Sequence, residues 1–92
     1  MIATFHDEDT EHVFENIPVK KFRAIHDIAH RRLLRLDAAT QLNDLAAIPG
    51  NRFKKLAGDR AGQYSIRVND QYRICFKWND GKAADVELVD YH

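Results

Sequence analysis

Residues 63–88 alternate between apolar and polar side chains. Tyr64, Ile66 and Val68 share one parity, while Gln63, Ser65 and Arg67 share the other. A second run repeats the pattern, with Tyr72, Ile74, Phe76 and Trp78 against Gln71, Arg73, Cys75 and Lys77, and Val86 and Leu88 carry the apolar parity into a third. Successive side chains of a strand point to opposite faces, so this pattern commits the chain to a sheet with one buried face. Gly58 to Gly62 and Asn79-Asp80-Gly81 supply the turns. Upstream, Phe53 and Leu56 differ in parity, which predicts that a first strand there is short or bulged.

The parity also sets the register of the central hairpin. If Asn69-Asp70 alone formed the turn, Ile66 would face Arg73 and the apolar faces would mismatch, because a one-residue slip inverts every side chain. A three-residue loop, Asn69 to Gln71, sets Val68 against Tyr72, Ile66 against Ile74 and Arg67 against Arg73. Facing like charges destabilise a sheet, so two guanidinium groups at that position imply a shared carboxylate or phosphate. Glu87 and Tyr91 fall on the same face by parity. A surface ladder in which Glu87 screens both arginines is the alternative to an anion site.

The first half of the chain has a helical period instead. Met1 to Phe5 is apolar enough for a short strand, and Asp7 or Asp9 can cap a brief acidic helix ending near Asn16. Pro18 suits the start of a second helix. Phe22, Ile25, Ile28, Ala29, Leu33 and Leu36 recur there at spacings of three and four, giving one core-facing stripe. Thr40 can cap a further short turn with Leu42 and Leu45, before Ile48-Pro49-Gly50-Asn51 breaks the chain. Helices followed by an antiparallel meander predict an α+β fold, with residues 1–92 as one domain.

Charge is segregated although the net charge is zero. Residues 1–16 hold Asp7, Glu8, Asp9, Glu11 and Glu15 and no Lys or Arg. Lys20, Lys21, Arg23, Arg31, Arg32 and Arg35 crowd the second helix, and Arg52, Lys54, Lys55, Arg60, Arg67, Arg73, Lys77 and Lys82 dominate the sheet region. Two basic blocks favour a polyanionic partner. No apolar run approaches the ~20 residues of a membrane span, and the amino terminus lacks a secretory leader, so the expectation is a cytoplasmic protein without a membrane partner. Cys75, the only cysteine, excludes an internal disulfide and a thiolate-built zinc site.

The chain ends in an acid, a phenol and an imidazole, Asp90-Tyr91-His92, a combination suited to chemistry on an anion. Two other signals carry less. His26-Asp27-Ile28-Ala29-His30 has the i, i+4 histidines of a zinc helix, yet it lacks a third ligand and the glutamate base, so no metal is expected. Cys75 within a strand reads as a packed small side chain.

The run from Gly58 to Phe76, GDRAGQYSIRVNDQYRICF, continuing through Trp78 to Val89-Asp90-Tyr91-His92, resembles the HigB toxins of bacterial toxin–antitoxin modules, within the RelE/ParE superfamily. Asp37-Ala38-Ala39-Thr40 and Pro49-Gly50-Asn51-Arg52 extend the resemblance over most of the chain. It implies a RelE-like fold, a small, mainly antiparallel twisted sheet packed against two amino-terminal helices. It implies a ribosome-dependent endoribonuclease that cuts mRNA in the decoding site. It also implies a HigA-type antitoxin partner with a helix-turn-helix domain, through which alone operator DNA is contacted. Asp90, Tyr91 and His92 match the family's catalytic tail, and Arg73 matches its phosphate-contacting arginine. The chain departs from the pattern at Lys54, where some relatives have histidine, and at Ala57, where some have lysine.

Cleaving RNA through its own 2′-hydroxyl needs a base for that hydroxyl, cations for the developing phosphorane charge and an acid for the leaving 5′-oxygen, with no metal or other cofactor. Asp90 and His92 are the expected proton-transfer pair. Arg73, with Lys54, Lys55, Arg60 and Arg67, is expected to meet phosphates, and Tyr91 to stack on or orient a nucleotide. Two other readings are a non-catalytic ParE-like inhibitor of DNA gyrase and a module acting only with its antitoxin on operator DNA. Supercoiling assays separate the first, and absence of toxicity when the protein is expressed alone marks the second.

Overall fold

A computed structural model describes residues 1–91. The elements run α1 (Glu8–Phe14), a 3-10 helix (Lys20–Ile25), α2 (His26–Ala38), α3 (Leu42–Ala46), β1 (Lys54–Lys55), a 3-10 turn (Gly58–Arg60), β2 (Gln63–Arg67), β3 (Tyr72–Asn79) and β4 (Lys82–Asp90). The sheet is an antiparallel meander, β1-β2-β3-β4. Its buried face presents Ile66, Val68, Ile74, Phe76, Val86 and Leu88 to Val13, Phe22, Ile25, Ala29, Leu33 and Leu36 of the helices. No helix among the described residues is long and apolar enough to cross a membrane.

The central hairpin has the register that its parity demanded. Ile66 faces Ile74 and Arg67 faces Arg73, and Tyr72 O closes the loop by accepting from Val68 N and Asn69 N. Asn69 Oδ1 in turn accepts from the amides of Gln71 and Tyr72 at 2.9 and 2.7 Å, which holds the loop in one shape. At the β3–β4 turn both Asp80 and Gly81 have positive φ, 51° and 75°, as a two-residue hairpin of matching twist requires. The first strand is the short alternative, only Lys54–Lys55.

Two boundaries differ from the expectations, each for a local reason, whereas α1 ends at Phe14, near Asn16 as expected, because Asn16 takes φ 63°. There Asn16 N donates to Val13 O and Ile17 N to His12 O, which satisfies the last carbonyls of the helix. Pro18 does not begin the second helix. The three-residue spacing of Phe22 and Ile25 is met by a 3-10 helix, in which residues i and i+3 eclipse, and α2 starts at His26. The α3 N-cap is Gln41, not Thr40. Asp44 Oδ2 accepts from Thr40 N, Thr40 Oγ1 and Gln41 N, and these backbone bonds hold its carboxyl below the ordinary carboxylate pKa.

The amino-terminal segment is a fifth, parallel edge rather than a separate strand, bridging Ile2 to Ala83 and Phe5 to Val86. β4 carries one extra residue there, since Cys75 pairs with Glu87 but Lys77 pairs with Ala84. Asp85, at φ 55°, absorbs the bulge, and Thr4 Oγ1 accepts its amide at 2.8 Å. The bulge lets odd-numbered Ala83 and even-numbered Val86 and Leu88 all face the core. Further along the same edge, the fully buried hydroxyl of Thr10 accepts from Leu88 N at 3.0 Å. Thr10→Val keeps the shape but strands that amide, so it is expected to cost about 1–3 kcal/mol in denaturant unfolding. Thr10→Ser is expected to retain most of the stability, and equal loss in both variants would count against the hydrogen bond as the cause.

Candidate functional site: a cationic cavity beside the last strand

The polar face of the sheet opens into a cavity of about 250 Å3. Its walls are Arg52 and Lys54 from the first strand and its lead-in, Arg67 from β2, Asn69 and Asp70 from the hairpin loop, Arg73 from β3, and Tyr91. Four cations and one carboxylate therefore share a small space, which can hold an anion such as a phosphodiester.

Arg73 is at the base. It is only 8% exposed, and on β4 its neighbour is Val89. Its guanidinium donates from Nε to Ser65 Oγ at 2.8 Å, and from Nη2 to Arg52 O at 2.5 Å and Ser65 O at 3.4 Å. Among the described residues no carboxylate lies within ion-pair distance of it. Burial, with the charges of Arg67 and Arg52, pulls its pKa below the usual guanidinium value, against the opposing influence of Cys75 and Tyr91. Three neutral oxygens fix its plane without cancelling its charge, so the cavity keeps a cation in need of a counter-ion.

The carbonyl that holds Arg73 is itself placed by Asn51. That side chain is buried, donates from Nδ2 to Leu45 O at 3.1 Å and accepts Arg32 Nη1 at 2.9 Å. Asn51 O also accepts the Arg67 amide at 2.6 Å. Asn51 thus ties α2, α3 and the end of β2 to the loop that carries Arg52. Arg52 takes φ 43°, and Gly50 at φ 86° passes so close to Arg32 that an added Cβ would sit 3.3 Å from Nη2. A second cavity of about 150 Å3 lies beyond, lined by Ile28 and by Arg31, Arg32 and Arg35 of α2. Burial, then Arg35, Arg31 and Arg67, lower the pKa of Arg32.

Of the residues singled out from the sequence, Lys54, Arg67, Arg73 and Tyr91 converge on the larger cavity. Lys55 pairs with Tyr64, so it falls on the other face of the sheet from Lys54, which pairs with Ser65. Arg60 is turned away as well, donating to Gln63 Oε1 at 3.1 Å and Glu87 Oε1 at 3.3 Å. Glu87 stands opposite Cys75, two residues along β4 from the position facing Arg73, and pairs with Arg60 and His6. The ladder of Arg67, Arg73 and Glu87 in mutual screening does not form. Asp90 faces Tyr72 and accepts from Gln71 Nε2 at 3.1 Å, outside the cavity lining. Beyond the bulge the alternation runs from Val86 to Tyr91, whose amide donates to Gln71 O at 2.7 Å. His92 lies outside the described residues.

Sequence parity puts Ser65 on the face of Arg67 and Arg73. Arg52, Asn69 and Asp70 lie outside the strands, where parity has nothing to say. His26 and His30 stack with ring centroids 6.1 Å apart. Their outer bonds, His26 Nε2 to Asn16 Oδ1 and His30 Nδ1 to Val13 O, fasten α2 to the end of α1. Cys75 is fully buried and burial raises its thiol pKa, which makes it a poor nucleophile.

Comparison with known proteins agrees with this architecture. A family model described as the RelE-like toxin of type II toxin–antitoxin system HigB matches residues 2–92. Toxin HigB-1 of Vibrio cholerae serotype O1 is 43% identical over 87 residues, covering 95% of this chain and 85% of that one. Endoribonuclease HigB of Proteus vulgaris is 32% identical, with both chains covered completely. Among solved structures, the YoeB-YefM toxin–antitoxin heterotetramer from Staphylococcus aureus superposes with a TM-score of 0.62 at 19% identity, covering 100% of this chain and 98% of that chain. At that identity the match speaks for the fold, a RelE-like sheet with helices on one face. The end-to-end family match and the two HigB relatives, taken with that fold, show that this chain belongs to the HigB family of RelE-like toxins from type II toxin–antitoxin systems.

Proposed function

We propose that the protein is a ribosome-dependent, metal-independent endoribonuclease that cuts mRNA in the decoding site and thereby stops translation. The observation that carries this reading is the buried Arg73, uncompensated by any described carboxylate and opening into a cavity with Arg52, Lys54, Arg67 and Tyr91. The name of the Proteus vulgaris relative, an endoribonuclease, supports the same reaction class.

In this reading a phosphodiester enters the cavity and meets Arg73, with Arg67, Arg52 and Lys54 around it. The 2′-oxygen attacks phosphorus as its proton leaves to a base, and the P–O5′ bond breaks as an acid protonates O5′. The products are a 2′,3′-cyclic phosphate and a 5′-hydroxyl. Arg73 is pre-oriented for the charge that develops on the phosphoryl oxygens, where fixed donors act most strongly. Tyr91 lines the path and orients the nucleotide. Asp90 and His92 are the proton-transfer pair of this reading, Asp90 being bonded to Gln71 Nε2 and outside the cavity lining in the free protein. The partner that restrains this activity is a HigA-type helix-turn-helix antitoxin, which also supplies all contact with operator DNA.

Primer extension on transcripts after induction tests the reading, alongside the same assay with purified ribosomes and mRNA. Cuts within codons, present only with ribosomes and lost when His92 is deleted, are expected. Equal cleavage of naked mRNA would remove the ribosome requirement, and intact transcripts would remove the ribonuclease.

A further inference from the structure

The larger cavity contains one carboxylate among four cations, and it is placed where a substrate anion belongs. Asp70 Oδ1 accepts from Arg67 Nη2 at 2.6 Å. The Asp70 side chain is fully exposed, whereas that of Arg67 is largely covered. The pair therefore joins a cation that stays in the wall to an anion that reaches in from solvent. Asp70 sits at the centre of the loop Asn69 to Gln71, whose shape the Asn69 side chain holds with two backbone bonds. Arg67 faces Arg73 across the ladder, and neither receives Glu87. Without Asp70, two guanidinium groups would confront each other with no counter-ion among the described residues.

We propose that Asp70 is a tethered stand-in for a substrate phosphate: it neutralises Arg67 in the free protein and yields that guanidinium to an RNA phosphodiester as the strand enters the cavity. The inference rests on the ribonuclease reading above and adds a residue that sets how tightly RNA is held. Displacement is cheap because an exposed ion pair is worth little in water. Its consequence is selective. An RNA contact at Arg67 must replace one carboxylate and then tolerate it nearby, which weakens casual binding and leaves the pair intact when no strand is present. The same hydrogen bond and the charge of Arg67 hold the Asp70 carboxyl below its ordinary pKa.

The test is equilibrium binding of a short single-stranded RNA with a 2′-deoxy residue at every position that could be cut, read by fluorescence anisotropy at low salt. Asp70→Asn is compared with Asp80→Asn, which removes the same charge at the far end of β3, where asparagine tolerates the positive φ of the turn. Asp70→Asn is expected to bind about three- to fivefold more tightly than the wild type, the size of one near charge in water. Asp80→Asn is expected to change little. In an Arg67→Ala background, the gain from Asp70→Asn should shrink to that of Asp80→Asn. Thermal melting of each variant checks that folding is unchanged. Equal affinity of the two single variants, a full gain without Arg67, or no RNA binding by the wild type would each overturn the exchange. The ribosomal cleavage assay reports separately on the reading beneath it: cleavage present with equal binding removes the exchange alone, and cleavage absent removes both.

Discussion

Arg73→Ala is expected to lower RNA cleavage by on the order of 10²–10³-fold, the usual loss when one pre-oriented donor to a developing oxyanion is removed. The effect should fall on kcat, because the guanidinium is fixed by Ser65 Oγ, Ser65 O and Arg52 O before any substrate arrives. Arg73→Lys makes the argument sharper. A lysine keeps the charge, but a single ammonium on a flexible stem cannot span Ser65 and the Arg52 carbonyl while still presenting a donor to the cavity. It should therefore resemble alanine in rate more than it resembles the wild type. Ser65→Ala removes one of the holding bonds and nothing that touches RNA, so a smaller loss of rate is expected from it. Wild-type cleavage by Arg73→Ala would remove this residue from the reaction, whatever became of the fold.

The largest expected effect on stability comes from Asn51→Leu, a substitution of similar volume at a residue only 1% exposed. It deletes the donor to Leu45 O and the acceptor for Arg32 and leaves both partners buried or half-buried without a replacement. Unmade bonds of this kind cost about 2–4 kcal/mol together, and for a domain of this size that lowers Tm by roughly 10–20 °C. Asn51→Asp should fall between, because a carboxylate still accepts from Arg32 but cannot donate to Leu45 O. Since Asn51 sets the loop whose carbonyl holds Arg73, cleavage should fall further than unfolding alone explains at temperatures where the variant is folded. Calorimetry together with the ribosomal assay at low temperature separates the two. A Tm within a degree or two of the wild type would mean that the loop is held by its strand contacts instead.

Much of the fold was legible because it follows from local rules. Parity gave the buried face, and the requirement that apolar faces match gave the three-residue hairpin loop, hence Arg67 opposite Arg73. Where prediction and structure part, the cause is a capping or period effect. Gln41 rather than Thr40 caps α3, and the i, i+3 pair Phe22 and Ile25 tightens into a 3-10 helix ahead of α2. The site was legible in its strand residues and opaque in its loops. Lys54, Arg67, Arg73 and Tyr91 came together, whereas Arg52, Asn69 and Asp70 joined them from segments with no repeat to read. Lys55 is sent to the other face by its pairing with Tyr64, and Arg60 is held by the side chains of Gln63 and Glu87.

The facing arginines, the polar face on which they stand and the strand that brings Tyr91 beside them follow from the sequence, because with a period of two a one-residue slip would turn the apolar side chains of one strand to solvent. Which acid answers those arginines was decided by the tertiary structure. Residue spacing along β4 puts Glu87 opposite Cys75, within reach of Arg60 and His6, and the turn puts Asp70 against Arg67. Arg73 receives no described carboxylate, only the oxygens of Ser65 and of a loop that Asn51 holds from the other side of the sheet. Ion pairing depends on a few ångströms between side chains far apart in the chain, and no pattern along the sequence records those distances.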